Sequence, residues 1–257
     1  MLMKGSSMLL RDRVAVIAGD AYGIGHATAM LFAREGARVL CIDDKAGLEN
    51  ANRIRIGELE VPYYHADVSH TEQVRAVVRD CEKNVPKVDI LFNVAGRAVK
   101  MSFEATTEEN WSTMVGRNLT SGFLCSKYFL PLMKHAGSGS IINHASIDGF
   151  LGNPSLAAYS AAKGGLLPLT HVMAHDLAKY GIRVNCISTG GIRSSTQASS
   201  VMDEARIAVT PLQRMGTPAD VAHVALFLAS DWSSYMNGAN LVVDGGRTAI
   251  THGCFND

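Results

Sequence analysis

The sequence predicts an α/β domain: a doubly wound, mostly parallel sheet of about seven strands with helices on both faces. Three observations carry that expectation. Short apolar runs alternate along the chain with longer segments of helical period. A glycine-rich turn, Gly19 through Gly25, joins the first such run to a helical segment. The length of 257 residues, 47% of them hydrophobic, fits one large domain with a sizeable core.

Val14–Ala18 is a short, β-branched apolar run and reads as a buried strand. It runs into Gly19-Asp20-Ala21-Tyr22-Gly23-Ile24-Gly25, and Gly25–Arg34 then reads as a helix. The same apolar character predicts strands at Arg38–Ile42, Val61–His65, Asp89–Asn93, Ser140–His144, Arg183–Ile187 and Asn240–Val243. Between them, helices are expected at Gly47–Ile56, Thr71–Lys83, Glu108–Met133, Leu156–Tyr180 and Ala219–Ala229. Thr217 and Pro218 suit the cap and first turn of the last helix. Residues 1–9 carry one lysine and a Gly-Ser-Ser stretch without the apolar core of a signal peptide, so a flexible extension is expected there. Residues 10–257 are expected to form the single domain.

The glycine turn carries the first chemistry. Glycines let a backbone approach a pyrophosphate, and the following helix N-terminus offers free N–H donors and a positive dipole end. The second signal is Tyr159-Ser160-Ala161-Ala162-Lys163. Positions four apart share a helix face, so the Tyr159 hydroxyl and Lys163 ammonium converge. A nearby cation favours the phenolate, so the Tyr159 pKa is expected to fall. Tyr159 then suits a general acid or base at a carbonyl oxygen. Ser146 can donate a hydrogen bond to the same oxygen.

Read together, these residues resemble the short-chain dehydrogenase/reductase family in its shorter, single-domain branch. The resemblance runs from about Leu10 to Gly246. Its landmarks fall in the family's order: Gly19/Gly23/Gly25, Asp67-Val68, Asn93-Val94-Ala95-Gly96, Asn118, Ser146, Tyr159/Lys163, Thr189-Gly190-Gly191-Ile192 and Val243-Asp244-Gly245-Gly246. The resemblance implies a Rossmann-type fold, a nicotinamide cofactor and hydride transfer between a secondary alcohol and a ketone. It implies Tyr159 as general acid/base, Ser146 orienting the substrate oxygen and Lys163 holding the nicotinamide ribose. It gives Asn118 a water that links Lys163 to solvent. It also places a lid over the substrate at about residues 195–211, where periodicity is weak.

Charge bears on the choice of cofactor. Asp43 ends the second strand, where a carboxylate accepts hydrogen bonds from ribose hydroxyls and repels a 2′-phosphate. Asp44 follows, and Asp20 adds negative charge within the turn. Tyr22 stands where phosphate-binding relatives often carry a base. Lys45 and Arg38 are the only cations nearby in sequence. NAD is therefore expected over NADP. The remaining expected cofactor contacts are Gly19, Gly23, Ile24 and Gly25 in the turn, and Asp67-Val68 at the adenine. Asn93, Ala95 and Gly96 are expected beneath the adenosine ribose, with Thr189, Gly190 and Ile192 further along. Asn93 reads first as an amide tying strands together and second as a contact.

Ala18, Val94 and Thr189 depart from the family pattern, which has threonine, asparagine and proline there. These changes bear on the cofactor loops rather than on proton transfer. His144 reads as a packed, hydrogen-bonded histidine beside the pocket. The substrate pocket is expected from residues 147–154, 97–99, 189–192 and the lid. Phe150 is an apolar candidate there, and Asp148 and Arg97 are polar ones, around Ser146 and Tyr159. Asp148 alternatively caps its own loop. Two competing functions remain: a non-catalytic NAD(H)-binding sensor or scaffold, and an NADP-dependent ketone reductase. An enoyl reductase of the same superfamily would usually separate tyrosine and lysine by six residues.

The formal net charge is zero, so no nucleic-acid partner is implied, and no apolar segment reaches membrane-spanning length. Five cysteines without a C-x-x-C pair fit core positions and a reducing cytoplasm. His171 and His175 lack a third ligand nearby in sequence, so no metal is expected. The resemblance implies a homotetramer paired through the long helices and the C-terminal strand region.

Overall fold

The computed structural model describes residues 8–19, 23–44, 53–56, 58–193 and 201–250. Their strands are β1 Val14–Ala18, β2 Arg38–Asp43, β3 Arg53–Ile56, β4 Leu59–His65, β5 Ile90–Asn93, β6 Gly139–Ser146, β7 Ile182–Thr189 and β8 Asn240–Val243. The helices are α1 Ile24–Arg34, α2 Thr71–Asn84, α3 Glu108–Val115, α4 Ser121–Ala136, α5 Ala157–Ala178, α6 Val201–Ala208 and α7 Pro218–Ala229.

One sheet runs in the order β3-β4-β2-β1-β5-β6-β7-β8. Its pairings are parallel except β3 with β4. From β1 the chain goes to β2 on one side and later to β5 on the other. That reversal opens a crevice at the carboxyl ends of β1 and β5, where ligands bind in such sheets.

The strands are apolar on both sides because both faces are covered. Ile17, Phe92 and Ile142 pack with Phe32 of α1 and Val221 of α7. Val16, Leu91 and Ile141 face the other way, with Val77 of α2 and Phe129 of α4. Cys41, Cys81, Cys125 and Cys186 are free and buried, as core positions require. Burial raises their thiols to between about 11 and about 12, so they stay neutral. Thr217 caps α7: its hydroxyl accepts from the Asp220 amide while the Asp220 carboxylate accepts from the Thr217 amide.

Four segments differ from the sequence expectation. The helix expected over Gly47–Ile56 is replaced at Arg53–Ile56 by strand β3, antiparallel to β4 with Ile54 opposite Val61. Arg53-Ile54-Arg55-Ile56 alternates charged and β-branched residues, which is the period of a strand rather than a helix. The earlier part of that helix lies outside the described residues. The single helix expected over Glu108–Met133 is broken by a π-helical turn at Gly116–Thr120. Part of the expected lid is helical: α6 spans Val201–Ala208, and residues 194–200 lie outside the description. Within the expected N-terminal extension, Leu9 donates its amide to the Glu35 carboxylate at 2.9 Å and packs on the core.

Candidate active site

The carboxyl ends of β1, β2, β4 and β5 surround a cavity of about 250 Å³. Gly19, Asp43, Asp44, Asp67, Val68, Ala95 and Gly96 all line it, as the sequence suggested, together with Arg97 and Arg117. Two glycines make the walls possible. Gly19 has φ +106°, and a Cβ there would collide with the Ala95 backbone. Gly96 has φ +125°, and a Cβ there would collide with the Asn118 amide oxygen. A side chain is therefore excluded at both positions by conformation and by contact.

Asp67 is held by its own turn. Its Oδ1 accepts the Ser69 amide at 2.9 Å and the Ser69 hydroxyl at 2.6 Å. Burial alone would raise its pKa; these hydrogen bonds and the charges of His70 and Arg117 outweigh it and lower the pKa. Arg117 was not among the expected site residues, because it lies far in sequence from the acids it meets. Its guanidinium lies 3.5 Å from Asp44 and 3.9 Å from Asp67. It adds a cation to a pocket where sequence neighbours supplied only Lys45 and Arg38.

Asn118 sits in the π-helical turn and is buried. Its Nδ2 donates to the Met114 carbonyl at 3.0 Å and to the Arg97 carbonyl at 3.2 Å, tying the turn to the cavity wall. Its Oδ1 is buried and has no hydrogen-bond partner in the protein. Arg117 lines the cavity, while its neighbour Asn118 meets Gly96.

Ser146 ends β6 and Thr189 ends β7 directly beside it. The Ser146 hydroxyl accepts the Asp148 amide at 3.1 Å, which starts a 3₁₀ turn over Ile147–Gly149. That turn packs against α5 without side chains between them. A Cβ on Gly164 would lie 2.6 Å from the Gly149 carbonyl oxygen, and a Cβ on Gly149 would lie 2.8 Å from the Gly164 nitrogen. The contact fixes Ser146 relative to Lys163, which immediately precedes Gly164, and to Tyr159 about one turn earlier on the same helix. Ser146 lies near enough to the Tyr159 side chain to oppose the rise of its pKa.

Lys163 is fully buried and donates to the His144 carbonyl at 2.7 Å. Its Nζ lies 6.0 Å from the Tyr159 ring centroid. Burial pushes its pKa down to about 8, against a smaller upward pull from Cys186. The expected fall of the Tyr159 pKa is corrected: burial raises it, the Ser146 hydrogen bond and Arg206 oppose that rise, and Asp148 adds to it. Desolvation acts on both groups here, and the lysine charge is itself weakened by it. His144 is packed as expected, its Nε2 3.0 Å from the Thr189 hydroxyl, and burial followed by Lys163 holds its pKa well below the usual value.

Other expected residues divide by role. Asn93 is a tie: its Nδ2 reaches the Asn143 Oδ1 at 2.9 Å and the Ser126 hydroxyl at 3.0 Å. Ile24 is buried in the core at the start of α1, which follows Gly23, with Gly25 buried beside it. Gly190 donates to the Val243 carbonyl at 3.0 Å, and Ile192 bridges to Gly216. The Asp148 carboxylate accepts from Asn153 at 3.0 Å, bracing its own loop. Phe150 is 42% exposed at that loop. Arg97 is exposed on the cavity rim. Asp20 and Tyr22 lie outside the described residues.

The glycine-walled cavity and the partnerless Asn118 oxygen fit a nucleotide cofactor: an open backbone cradle beside a buried acceptor awaiting a donor. Comparisons with known proteins agree. The family model described as "Enoyl-(Acyl carrier protein) reductase" matches residues 18–248. An uncharacterized oxidoreductase of Bacillus subtilis is 40% identical, over 94% of this chain and 93% of its own. The 2-(S)-hydroxypropyl-CoM dehydrogenase 3 of Xanthobacter autotrophicus is 35% identical, over 94% of this chain and 98% of its own. A solved structure titled as a putative gluconate dehydrogenase from Agrobacterium tumefaciens superposes with a TM-score of 0.85 at 29% identity, covering 95% of this chain and 99% of its own. Among the described residues no helix is long and apolar enough to cross a membrane. Sheet order, glycine cradle and the Ser146–Tyr159–Lys163 arrangement converge with these matches: the chain is an oxidoreductase of the short-chain dehydrogenase/reductase family, which binds a nicotinamide cofactor.

Proposed function

We propose that this protein interconverts a secondary alcohol and a ketone, with NAD preferred over NADP and Tyr159 as the general acid/base. The observation that carries the reading is the convergence of Ser146 and Tyr159, with Lys163 buried and its Nζ 6.0 Å from the tyrosine ring centroid. When bound, the cofactor accepts or returns a hydride. In the oxidative direction Tyr159 takes the hydroxyl proton from the alcohol oxygen as the carbinol C–H electron pair leaves with its hydrogen. Ser146 donates a hydrogen bond to that oxygen and fixes its distance from Tyr159. Lys163 binds ribose hydroxyls from below and, when protonated, favours the phenolate. The partnerless Asn118 oxygen supports its role as an acceptor for a water that relays protons from Lys163. Asp43 and Asp44 at the end of β2 support the NAD preference, since a carboxylate there accepts from ribose hydroxyls and repels a 2′-phosphate.

A substrate held by Phe150, Asp148 and Arg97 would be a medium-sized alcohol carrying polar groups. A homotetramer acting in the cytoplasm completes the reading. Tyr159→Phe is the decisive variant. Wild type is expected to reduce NAD with members of a panel of secondary alcohols, polyols and hydroxy acids. The variant should lose at least ~10³-fold in turnover while still binding NADH. Unchanged turnover in the variant would remove Tyr159 from the chemistry, and binding without any turnover in wild type would favour a sensor.

A further inference from the structure

The geometry points to Arg117 as the residue that sets how strongly this chain discriminates against a 2′-phosphorylated cofactor. The inference rests on the nicotinamide-cofactor reading and refines it. Two acids, Asp43 and Asp44, close β2 at the cavity, and Asp67 approaches from the end of β4. By themselves they oppose a dianionic phosphate. Arg117 enters the same cavity from the π-helical turn and stands between Asp44 and Asp67, at 3.5 Å and 3.9 Å.

The pairing is loose. Both distances are long, and the Arg117 and Asp44 side chains are 35% and 48% exposed. Such exposed pairs contribute little energy and exchange readily. A guanidinium carries five donors, and two distant carboxylate contacts leave several available. Arg117 therefore cancels the Asp44 charge and remains able to turn toward a phosphate. Removing it leaves Asp44 and Asp67 without that partner, and Arg97 on the rim is then the remaining cation among the described lining residues.

The test is calorimetric binding of NADH and NADPH, a readout independent of turnover. It compares wild type, Arg117→Gln, Arg117→Lys, Asp44→Asn and the double variant Asp44→Asn/Arg117→Gln. Arg117→Gln is expected to weaken NADPH roughly fivefold or more while NADH stays within about twofold. Arg117→Lys should keep most of the wild-type ratio. On the Asp44→Asn background the loss of Arg117 should cost NADPH more than in wild type, because the arginine is then freed from its partner. Equal weakening of both cofactors would mark a merely structural arginine and overturn the inference. So would an unchanged ratio, or a wild type that binds NADH and not NADPH. A wild type that binds neither would overturn the cofactor reading itself.

Discussion

At the scale of single residues, the site works against the cost of burial. Lys163 has no solvent contact to support its charge, and its pKa falls to about 8 from an ordinary 10.5. This shift has a stability consequence with a definite sign. Below pH 8 the lysine is protonated in folded and unfolded chains alike, and the buried charge brings no stabilisation. Between about 8 and 10.5 the folded lysine is neutral while the unfolded one still binds a proton. Stability must then rise with pH, because the unfolded state holds more protons. The contribution is complete above 10.5 and lost as pH falls through about 8. Lys163→Met lacks this titration. The stability of wild type minus that of the variant, from urea unfolding at a series of pH values, should climb by about 3 kcal/mol across that window. Taking the difference removes the buried thiols of Cys41, Cys81 and Cys125, which act in the opposite direction in both proteins. A flat difference would mean that Lys163 keeps its charge inside the fold. The same burial explains why pairing Tyr159 with Lys163 in sequence misjudged the tyrosine: spacing reveals proximity, whereas desolvation depends on everything packed around it.

At the scale of elements, two glycines hold the serine turn against the tyrosine helix. An alanine at Gly164 would bring its Cβ to 2.6 Å from the Gly149 carbonyl oxygen, a backbone atom that cannot swing away. Gly164→Ala should therefore destabilise by about 1–2 kcal/mol, although alanine favours helix by about 1 kcal/mol. It should also lower kcat by separating Ser146 from Tyr159. At Gly165 the nearest atom is the Leu119 Cδ2 at 2.8 Å, the tip of a flexible side chain. Gly165→Ala should be close to neutral in the same denaturation and turnover measurements, and equal damage at both sites would refute the backbone argument. Neither contact was legible in the sequence, where Gly164-Gly165 looks like a weak spot in a helix. What was legible is what local chemistry dictates: the glycine turn, the strand ends bearing Asp43, Asn93 and Ser146, and the Thr217–Pro218 start of α7. The π turn escaped although Gly116, Asn118 and Thr120 are weak helix formers, because such residues also occur within ordinary helices. Strand β3 escaped because an alternation only four residues long competes poorly with the expectation of a helix after β2. Arg117 escaped because its partners come from the far side of the crevice.

At the scale of the whole molecule, two of the apolar surfaces that the described residues expose lie on different elements. One surrounds a surface cavity where Phe103 is 82% and Trp111 44% exposed, beside the N-terminus of α5. The other lies at β8, which among the described residues pairs only with β7 and ends the sheet. There Leu212 is 63% and Val242 43% exposed around a cavity of about 360 Å³. An edge strand flanked by exposed apolar side chains invites pairing unless something covers it. A second copy of the chain, related by a two-fold axis, can cover each surface with its own equivalent, and two such axes generate a tetramer. Sedimentation at micromolar concentration should give the mass of four chains. Leu212→Asp and Trp111→Asp should each reduce it to two, because each charge spoils one kind of contact and spares the other. The two together should release monomers that remain folded, since both side chains lie outside the buried core. If wild type sediments as a monomer, or if either single variant already gives one, the two surfaces do not act as independent interfaces.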